Sequence, residues 1–404
     1  MSAILSLRRL PTSNLIAISA FLLLSLCLFS TRRETVSYFD VRRARLPSRN
    51  ITDDIYNTTL GFEKIFVIGL PSRTDRRDGM VLQAALSNME IEFIDGVLGK
   101  DVPDKALPST QELKRLEDPV VGAWRGHMNA IQEVVRRNLS SALIMEDDAD
   151  WDVRIRNQLH DYALSARALT QPLAGSSNSS PAYADPTYPL ALASNGLSTV
   201  PDIPFSNLPA TVTPQISPYG DDWDVFWAGH CGMHFPSTSN GPAALPKGRV
   251  VHLDDATTPQ KRHLWTISNP YDLKDQYPEH TRVVHHVQDG CCSLAYAVTQ
   301  MGARRILREV GLKDMNEPFD LQLKSFCEGS GKPVRGPHNC LTVQPGLFHI
   351  HFSAGPKDVN SDISDHGEGF QHESTSMVRH SVRLNADALL DGRMDDLVDQ
   401  LPDE

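Results

Sequence analysis

The sequence predicts an α/β fold built on a mainly parallel central sheet. Short apolar runs alternate with helical stretches along most of the chain, which is the pattern of successive βαβ units. One apolar run ends in three consecutive carboxylates, and ligands of open α/β sheets bind just beyond the carboxyl ends of strands. The 404 residues are 40% hydrophobic and carry a formal charge of −11. A core is therefore available, whereas a nucleic-acid partner, which needs a basic surface, is not expected.

The expected elements follow one another along the chain. In the first half we expect strands over 65–68, 91–94 and 142–145 and helices over 73–86 and 122–138. In the second half we expect strands over 225–228, 293–298, 341–343 and 348–352 and a helix over 301–310. Two further stretches have no sustained apolar period, which is typical of irregular, mobile insertions; they are 170–219 and 235–282.

The N-terminal region contains a candidate membrane span. Residues 10–31 carry no charge, and a helix of that length reaches roughly 33 Å at about 1.5 Å per residue, enough to cross a bilayer. A cleaved signal peptide is the alternative, but no A-x-A-like cleavage site follows the span, which favours a signal anchor. Arginines on both sides leave the positive-inside rule undecided. Four sequons place the bulk of the chain in a lumen, at Asn50, Asn57, Asn138 and Asn178.

These features predict a type II membrane protein with five parts. In order they are a cytoplasmic tail (1–9), a signal-anchor transmembrane helix (10–31), a stem (32–60), a catalytic domain (61–365) and an acidic tail (366–404). The tail is expected to be a solvated, weakly helical appendage, since from Asp387 it carries seven acidic residues and only Arg393 as a base.

Cysteine spacing indicates a disulfide-bonded protein without a zinc ribbon. Five cysteines lie beyond the candidate span and no C-x-x-C pair occurs. The odd number leaves at least one thiol free or in an intermolecular bond. Cys327 and Cys340 flank a loop that contains Gly and Pro, and we expect them to form a disulfide.

The acidic cluster is the strongest candidate site. The buried strand over 142–145 runs directly into Glu146, Asp147 and Asp148. Adjacent carboxylates at a strand end are tolerable when a divalent cation neutralises them, and oxygen ligands suit Mn²⁺ or Mg²⁺. A surface charge run is the alternative. Asp222 and Asp224 form a second acidic pair, but they precede their strand, at the end where α/β sheets do not usually bind ligands.

Basic residues follow the first predicted strand. Arg73, Arg76 and Arg77 surround Asp75, and a guanidinium group there is suited to bidentate contact with a diphosphate. A solvated first helical turn with local Asp–Arg pairing explains the same pattern. Asp95 ends the second strand, where it either binds a ribose hydroxyl or makes a turn.

Three further residues have both a catalytic and a structural interpretation. His127 lies on the apolar side of its predicted helix and is either a ligand contact or a buried structural histidine. His351 shares a strand face with His349, and either completes a carboxylate metal site or is simply packed. Asp320 opens a short helix, where it is either the N-cap or the general base for an acceptor hydroxyl.

Together these motifs resemble glycosyltransferase family 25, whose members include lipooligosaccharide and collagen galactosyltransferases. The matching stretches are FVIGLPSRTDRR (66–77), EFIDGVLGKDV (92–102), VGAWRGHMNAI (121–131), ALIMEDDADWD (142–152), DWDVFWAG (222–229), SLAYAVTQMGARRIL (293–307) and PFDLQL (318–323). They keep the family's order over most of 62–365. Where relatives often read G-C-x-x-S-H, this chain has the segment from Gly122 to His127, without the Cys and the Ser.

The resemblance implies a GT-A-like fold and sugar transfer from a nucleotide donor with inversion. It implies that Glu146, Asp147 and Asp148 are the metal motif. The implied donor-side residues are Arg73, Asp75, Arg76 and Arg77. Gly122 and His127, in the segment that differs from the family's pattern, are further donor-side candidates. Asp320 matches an aspartate of the family's P-x-D element, and His351 with Ser361–Asp362 is similar to a late His and Ser-Asp element.

The sequence therefore predicts a metal-dependent inverting glycosyltransferase of the secretory pathway. We expect a Golgi (or ER) membrane enzyme with a lumenal catalytic domain, since the chain ends Leu401-Pro-Asp-Glu404 without a KDEL-like signal. The expected partners are a UDP-hexose donor, galactose first by resemblance, and a glycan or glycoprotein acceptor. A catalytically inactive glycan-binding relative is the alternative. A metal-dependent phosphohydrolase is a weaker one, for which Asp75 and Asp78 are the extra carboxylates available.

Overall fold

The strands and helices come from a computed structural model, which describes residues 50–404 apart from 109–113, 178, 190–201, 238–244, 314, 332–334 and 364–366. The predicted anchor at 10–31 and most of the predicted stem lie outside the described residues. Within those ranges, the helices are all too short or too polar to cross a bilayer.

The described strands are β1 (Lys64–Gly69), β2 (Glu92–Asp95), β3 (Ser141–Glu146), β4 (Ala149–Trp151), β5 (Ile203–Pro204), β6 (Val225–Gly229), β7 (Arg249–His252), β8 (Arg282–His286), β9 (Ala295–Thr299), β10 (Cys340–Gln344), β11 (Phe348–Phe352), β12 (Gly355–Pro356), β13 (Phe370–Gln371) and β14 (Ser374–Thr375). The helices are α1 (Thr74–Leu86), α2 (Asp118–Arg136), α3 (Ile155–Thr170), α4 (Asp272–Gln276), α5 (Gln300–Ile306), α6 (Phe319–Glu328) and α7 (Ala386–Leu390).

Nine of the described strands form the central sheet, in the order β2-β1-β3-β9-β6-β10-β8-β7-β5. Only β8 and β9 run against the other seven. The predicted α/β class with a mainly parallel sheet is therefore confirmed. A smaller sheet in the order β14-β11-β4 extends from the segment just after β3.

The core lies on both faces of the sheet. Residues 142–145 in β3 are at most 1% exposed, as expected for a strand covered on both sides. On one face, α2 packs its apolar stripe of Trp124, Met128 and Ile131 against the sheet. On the other face, α3 contributes Leu159 and Tyr162 to a second cluster. Because each predicted apolar run carries the period of its element, the expected elements of the first half are found within a few residues of their predicted bounds.

The two insertions are not irregular throughout, so that expectation is wrong for part of each. The segment 235–282 contains β7, which pairs with β8, and α4. Its side chains Phe235, Val251 and Leu264 belong to a separate hydrophobic cluster. The segment 170–219 contributes β5, which pairs with β7. Their apolar runs are too short to show a period, and the strands are stabilised by partners distant in sequence.

The predicted boundaries of the stem and of the tail also differ from the structure. Residues 51–60 belong to the same compact unit as the sheet, and Ile55 and Leu60 are fully buried in its core. The tail does not form a separate solvated appendage in its described residues. Val382 is 1% exposed in the same core, and Arg379 pairs with Asp399 at 2.6 Å. Internal arginines thus neutralise part of the acidic charge.

Two disulfides are formed by the described cysteines. The predicted Cys327–Cys340 bond is confirmed. A second bond joins Cys231 to Cys292, and Cys291 is left as a free thiol. The Cys231–Cys292 bond joins the segment after β6 to the segment before β9.

Candidate active site

The candidate site lies at the carboxyl ends of β1, β2 and β3. We call this end of the strands the carboxyl edge of the sheet. Gly69 at the end of β1 pairs with Asp95, and Ile68 pairs with Glu146. Because the three strands are parallel, their carboxyl ends meet there, as ligand sites of α/β sheets require. Strand β9 starts at the same edge, antiparallel to β3, and this places Ser293 against Glu146.

Arg76 bridges the two aspartates of the acidic cluster. Its Nη1 lies 2.7 Å from Oδ1 of Asp147 and 3.1 Å from Oδ2 of Asp148. The arginine reaches over from the first turn of α1, and its Nη2 donates to the carbonyl of Asn360. Gly69 permits this packing, because a Cβ there would collide with the Asp147 carboxylate. A predicted donor-side arginine and two predicted metal ligands are therefore in direct contact.

Asp148 retains capacity to bind a cation. Its Oδ1 is buried without a hydrogen-bond partner among the described residues. Burial, with the neighbouring carboxylates, raises the pKa of Asp148 to about 6 against the influence of Arg76, and burial also raises the pKa of Asp147. In the described ranges, three or more His, Cys, Asp or Glu side chains are nowhere grouped as a metal cage. A cation that holds a nucleotide typically uses one or two carboxylates plus phosphates, so the two aspartates fit that kind of site.

The other arginines after β1 have distinct partners. Arg73 makes a bidentate contact with Asp75, at 3.0 and 2.8 Å, and a further one with Asp362 at 2.5 Å. The hydrogen bond between Arg73 and Asp75 raises the pKa of Arg73 and lowers that of Asp75. Arg77 donates to a carbonyl at the end of β1 and to the Asp95 carboxylate. Arg77 and Asp95 therefore join the ends of β1 and β2, whereas Arg73 faces the segment after β11.

Glu146 is part of a buried hydrogen-bonded network with His127. Ser293 donates to Oε1 of Glu146 at 2.9 Å, and Nε2 of His127 lies 3.4 Å from the same oxygen. Nδ1 of His127 contacts the Tyr296 hydroxyl at 3.0 Å, and its ring stacks on Phe319. Burial acts to raise the pKa of Glu146, but the hydrogen bonds from His127 and Ser293 outweigh it, so the pKa is lowered. His127, 3% exposed, thus reaches the site through Glu146.

Gly122 acts through backbone packing near the start of α2. A Cβ at this position would collide with the carbonyl of Val97 in the loop after β2. Gly122 therefore lets α2 approach the loop that follows Asp95. In this structure it shapes the wall beside the site.

Asp320 lies in the first turn of α6 and is held by backbone groups. Its Oδ2 accepts the N–H of Cys292 at 2.8 Å, and its Oδ1 accepts the N–H of Leu321 at 2.9 Å. Pro318, not Asp320, is the N-cap residue. Cys292 directly precedes Ser293, the partner of Glu146. Two consecutive residues therefore join the start of α6 to the acidic end of β3.

His351 adjoins the acidic segment mainly through its backbone. Its N–H donates to the carbonyl of Asp148 at 2.9 Å. Its ring contacts the Thr375 hydroxyl at 3.0 Å and lies 3.9 Å from Oδ2 of Asp150 and 3.4 Å from Glu373. Burial lowers the pKa of His351 to about 3. The ring therefore lies near Asp150, two residues beyond the predicted metal motif, and near Glu373, which directly precedes β14.

Arg383 is a site residue that the sequence analysis missed. Its Nη2 donates to the carbonyl of Asp147 at 3.0 Å, and its Nε donates to Gln83 in α1 at 2.9 Å. It lies in the stretch assigned to the acidic tail, where no local pattern distinguishes it from a surface arginine. Ser293 was missed for the same reason, since its role depends on the pairing of β9 with β3.

Asp222 and Asp224 lie at the opposite end of the strands, where β6 begins. We call this end the amino edge of the sheet. Arg305 pairs with both oxygens of Asp224, at 2.7 and 2.8 Å. The Tyr188 hydroxyl donates to Asp222 at 2.6 Å. Both aspartates line a cavity of about 440 Å³. The structure thus separates this acidic pair from Glu146, as the strand direction predicts.

The first part of the chain matches a known family. Residues 62–175 match the model of glycosyltransferase family 25 (LPS biosynthesis protein). This segment contains β1, α1, β2, α2 and β3, and hence the contact between Arg76 and the acidic cluster. The resemblance to this family is therefore confirmed over residues 62–175.

Individual relatives match a similar stretch. Procollagen galactosyltransferase 2 of Homo sapiens is 28% identical over 115 residues, which are 26% of this chain and 18% of the relative. Inactive glycosyltransferase 25 family member 3 of Homo sapiens is 33% identical over 113 residues, 25% of this chain and 19% of the relative. A glycosyltransferase 25 family member of Anopheles gambiae is 26% identical over 127 residues, 29% and 22%. The matches span about a fifth of the length of these relatives.

Proposed function

We propose that this protein transfers a hexose from a UDP-sugar to a hydroxyl group of a glycan or glycoprotein, with inversion at the anomeric carbon. The observation that carries the proposal is the contact of Arg76 with Asp147 and Asp148 at the carboxyl end of β3, inside the segment that matches the family. Galactose is the first donor to test, because relatives are named procollagen galactosyltransferases. The uncharged span at 10–31 and the sequons support a Golgi or ER membrane location.

Mn²⁺ or Mg²⁺ belongs to this proposal as the cofactor. The carboxylate oxygens of Asp147 and Asp148, including the unpartnered Oδ1 of Asp148, would hold it. A divalent cation bound there supplies Lewis-acid neutralisation of the charge on the departing nucleotide diphosphate. Glu146, held by Ser293 and His127, adds negative charge that keeps the cation at this strand end.

The arginines after β1 bind the donor diphosphate in this proposal. Arg76 and Arg73 present guanidinium groups at the end of β1, and such groups contact phosphate oxygens bidentately. Both groups pair with carboxylates of the chain itself, Arg73 with Asp362 and Arg76 with Asp147. Donor binding therefore exchanges protein carboxylates for phosphates. Asp95 is exposed at the end of β2, where its free lone pairs suit a ribose hydroxyl.

Asp320 is the proposed general base. The N–H groups of Cys292 and Leu321 fix the orientation of its carboxylate, while each oxygen retains a further lone pair for an acceptor hydroxyl. Proton removal by a positioned carboxylate then assists attack on the anomeric carbon. The attack comes from the face opposite the nucleotide, which gives inversion.

The test is a panel of nucleotide sugars assayed for transfer and hydrolysis with Mn²⁺, in the wild type and in an Asp147→Asn/Asp148→Asn variant. We expect transfer in the wild type and at least a hundredfold loss in the variant, consistent with the size of lost electrostatic stabilisation. An Asp395→Asn/Asp396→Asn variant is the matched control, because it neutralises two adjacent aspartates on an exposed turn. Undiminished transfer in the acidic-cluster variant overturns the proposal.

A catalytically inactive donor-binding protein is the second candidate. The observation that favours it is that Arg73 and Arg76 already pair with internal carboxylates, and one relative is named inactive. Binding of UDP with Mn²⁺ but no turnover of any sugar in the panel supports this candidate. A phosphohydrolase has weaker support, because Arg73 holds Asp75, one of the two extra carboxylates.

A further inference from the structure

The cavity at the opposite edge of the sheet has the features of a ligand site. It holds about 440 Å³, within the range of small-molecule sites. Its walls come from the amino ends of β6 and β10 and the carboxyl end of β8, with Asp224, Asn339 and His286 at these positions. The acidic cluster lies at the carboxyl end of β3, so the two sites are at opposite edges.

Two residues of the cavity wall, His286 and Asn339, each carry a buried polar atom with unused hydrogen-bonding capacity. Nε2 of His286 and Oδ1 of Asn339 are buried and have no hydrogen-bond partner among the described residues. His286 is 1% exposed, so its desolvation is costly unless a bound group satisfies the ring nitrogen. Burial lowers the pKa of His286 to about 4. The ring is therefore neutral at pH 7 and is suited to a neutral hydrogen-bonding group.

The charges in the cavity wall are balanced internally. Arg305 pairs with Asp224, and Arg335 pairs with Glu309 at 3.0 Å. The remaining charged members of the described wall are Lys313 and Asp222, one of each sign. A phosphate or nucleotide would face three carboxylates without an excess of cations. An apolar ligand would leave the polar atoms of His286 and Asn339 unsatisfied.

We propose that this cavity binds a small neutral saccharide. Saccharide hydroxyls both donate and accept, so they match the acceptor Oδ1 of Asn339 and the ring nitrogen of His286. The Tyr188 ring and the neighbouring prolines, Pro189, Pro246 and Pro337, give apolar contact for a sugar face. This cavity is distinct from the proposed donor site. Saccharide binding in the cavity does not require the donor site to be catalytically active.

The test is saturation-transfer NMR on the full chain with galactose, N-acetylglucosamine and lactose, beside glucuronic acid as an anionic probe. Gly336→Phe is designed to fill the cavity. Gly336 lines it, and a Cβ there meets no heavy atom of the described residues within 4 Å. Lys105→Phe, an aromatic addition at an exposed site, is the matched control. We expect the neutral sugars to bind the wild type and the control, and Gly336→Phe to lose them while retaining UDP.

A second variant covers the possibility that Gly336→Phe does not fold. His286→Leu removes the unpaired nitrogen and keeps a side chain of similar size, and we expect about a tenfold weaker sugar affinity, the effect of one lost hydrogen bond. Thermal melts check folding of each variant. Absence of saturation transfer to every neutral sugar overturns the proposal. Sugar binding that survives Gly336→Phe, or that is lost only in Asp147→Asn/Asp148→Asn, also overturns the proposal. A preference for glucuronic acid overturns it as well.

Discussion

The two edges of the central sheet differ in how their buried carboxylates are neutralised. At the carboxyl edge, Asp147 and Asp148 share one guanidinium, that of Arg76, and Asp148 keeps an unpartnered oxygen. At the amino edge, Asp224 and Glu309 each have an arginine of their own. The first edge therefore has a deficit of positive charge, which a cation can fill. The second edge is neutral, and its unused capacity is in uncharged hydrogen-bonding groups.

The difference shows why acidic residues alone do not identify the site. Asp222 and Asp224 form a D-x-D pattern as clear as the Glu146 cluster. Strand direction places the first pattern at the amino end of β6 and the second at the carboxyl end of β3. Pairing then decides the chemistry, because Arg305 neutralises Asp224 directly. Variants at the two edges should therefore behave as differently as the charges of the two edges indicate.

The largest expected effect comes from the two disulfides. Cys231–Cys292 closes 61 residues beside Asp320, and Cys327–Cys340 closes 13 residues beside Asn339. In the chain-entropy model, removal costs about 4 kcal/mol for the longer loop and about 3 kcal/mol for the shorter one. We expect Cys231→Ala/Cys292→Ala also to lower transfer, because Cys292 positions Asp320, whereas Cys327→Ala/Cys340→Ala leaves the rate near wild type. Urea unfolding and transfer assays check both, and equal losses of transfer would contradict the assignment of Asp320.

Removal of an arginine should lower the free energy of unfolding more at the carboxyl edge than at the amino edge. Arg76→Ala leaves two largely buried carboxylates without their cation, and we expect a loss of about 3 kcal/mol in the free energy of unfolding. Arg305 is 46% exposed in its side chain, and Asp224 keeps an N–H partner in Asn339. Arg305→Ala should therefore cost about 1 kcal/mol or less. Chemical denaturation measures both variants.

Mn²⁺ provides a further comparison for the same variants. If a cation fits between Asp147 and Asp148, added Mn²⁺ should raise the melting temperature of Arg76→Ala more than that of the wild type, because it replaces the missing charge. The melting temperature of Arg305→Ala should respond like the wild type. A response to Mn²⁺ that is identical in all three proteins argues against a cation at the acidic edge.

The sequence predicted the first edge well and the second hardly at all. The strand, helix and acidic end from Ile65 to Asp148 are local patterns of period and charge, and the structure places them as expected. Ser293 reaches Glu146, and the adjacent Cys292 reaches Asp320, only because β9 pairs with β3. Arg383 reaches Asp147 from a segment with no distinguishing pattern. Such contacts depend on the tertiary fold.

The amino edge depends on the tertiary fold even more strongly. The cavity wall combines Tyr188, Asp224, His286, Arg305 and Asn339, which lie in separate segments of the chain. Part of it is positioned by β7 and β8, and β7 has only Val250 and Val251 as an apolar signal. A two-residue run is below the length at which an alternating pattern identifies a strand.

Asp148→Asn should stabilise the protein at neutral pH. Burial and nearby carboxylates raise the pKa of Asp148 from 3.8 to about 6 in the folded state. The unfolded chain therefore loses this proton at lower pH than the folded protein, and stability falls as the pH rises from 3.8 to about 6. Removing the charge recovers about 3 kcal/mol at pH 7.5, and the gain disappears as the pH falls below about 3.8, where both states bind the proton. Asp147 remains to pair with Arg76. Unfolding at several pH values checks this, with Asp396→Asn as the control, and a gain that does not depend on pH would contradict it.

The cavity edge should respond to acid in the opposite direction. Burial lowers the pKa of His286 from 6.5 to about 4, so between these values the unfolded chain binds a proton that the folded chain does not. Stability contributed by neutral His286 is therefore complete above pH 6.5 and falls by about 1.4 kcal/mol per pH unit toward pH 4. Other buried histidines, such as His349 with a pKa of about 3, add to the wild-type slope. His286→Leu should reduce that slope by about one proton, whereas Asp148→Asn should increase it, and equal slopes in the two variants would remove the distinction between the edges.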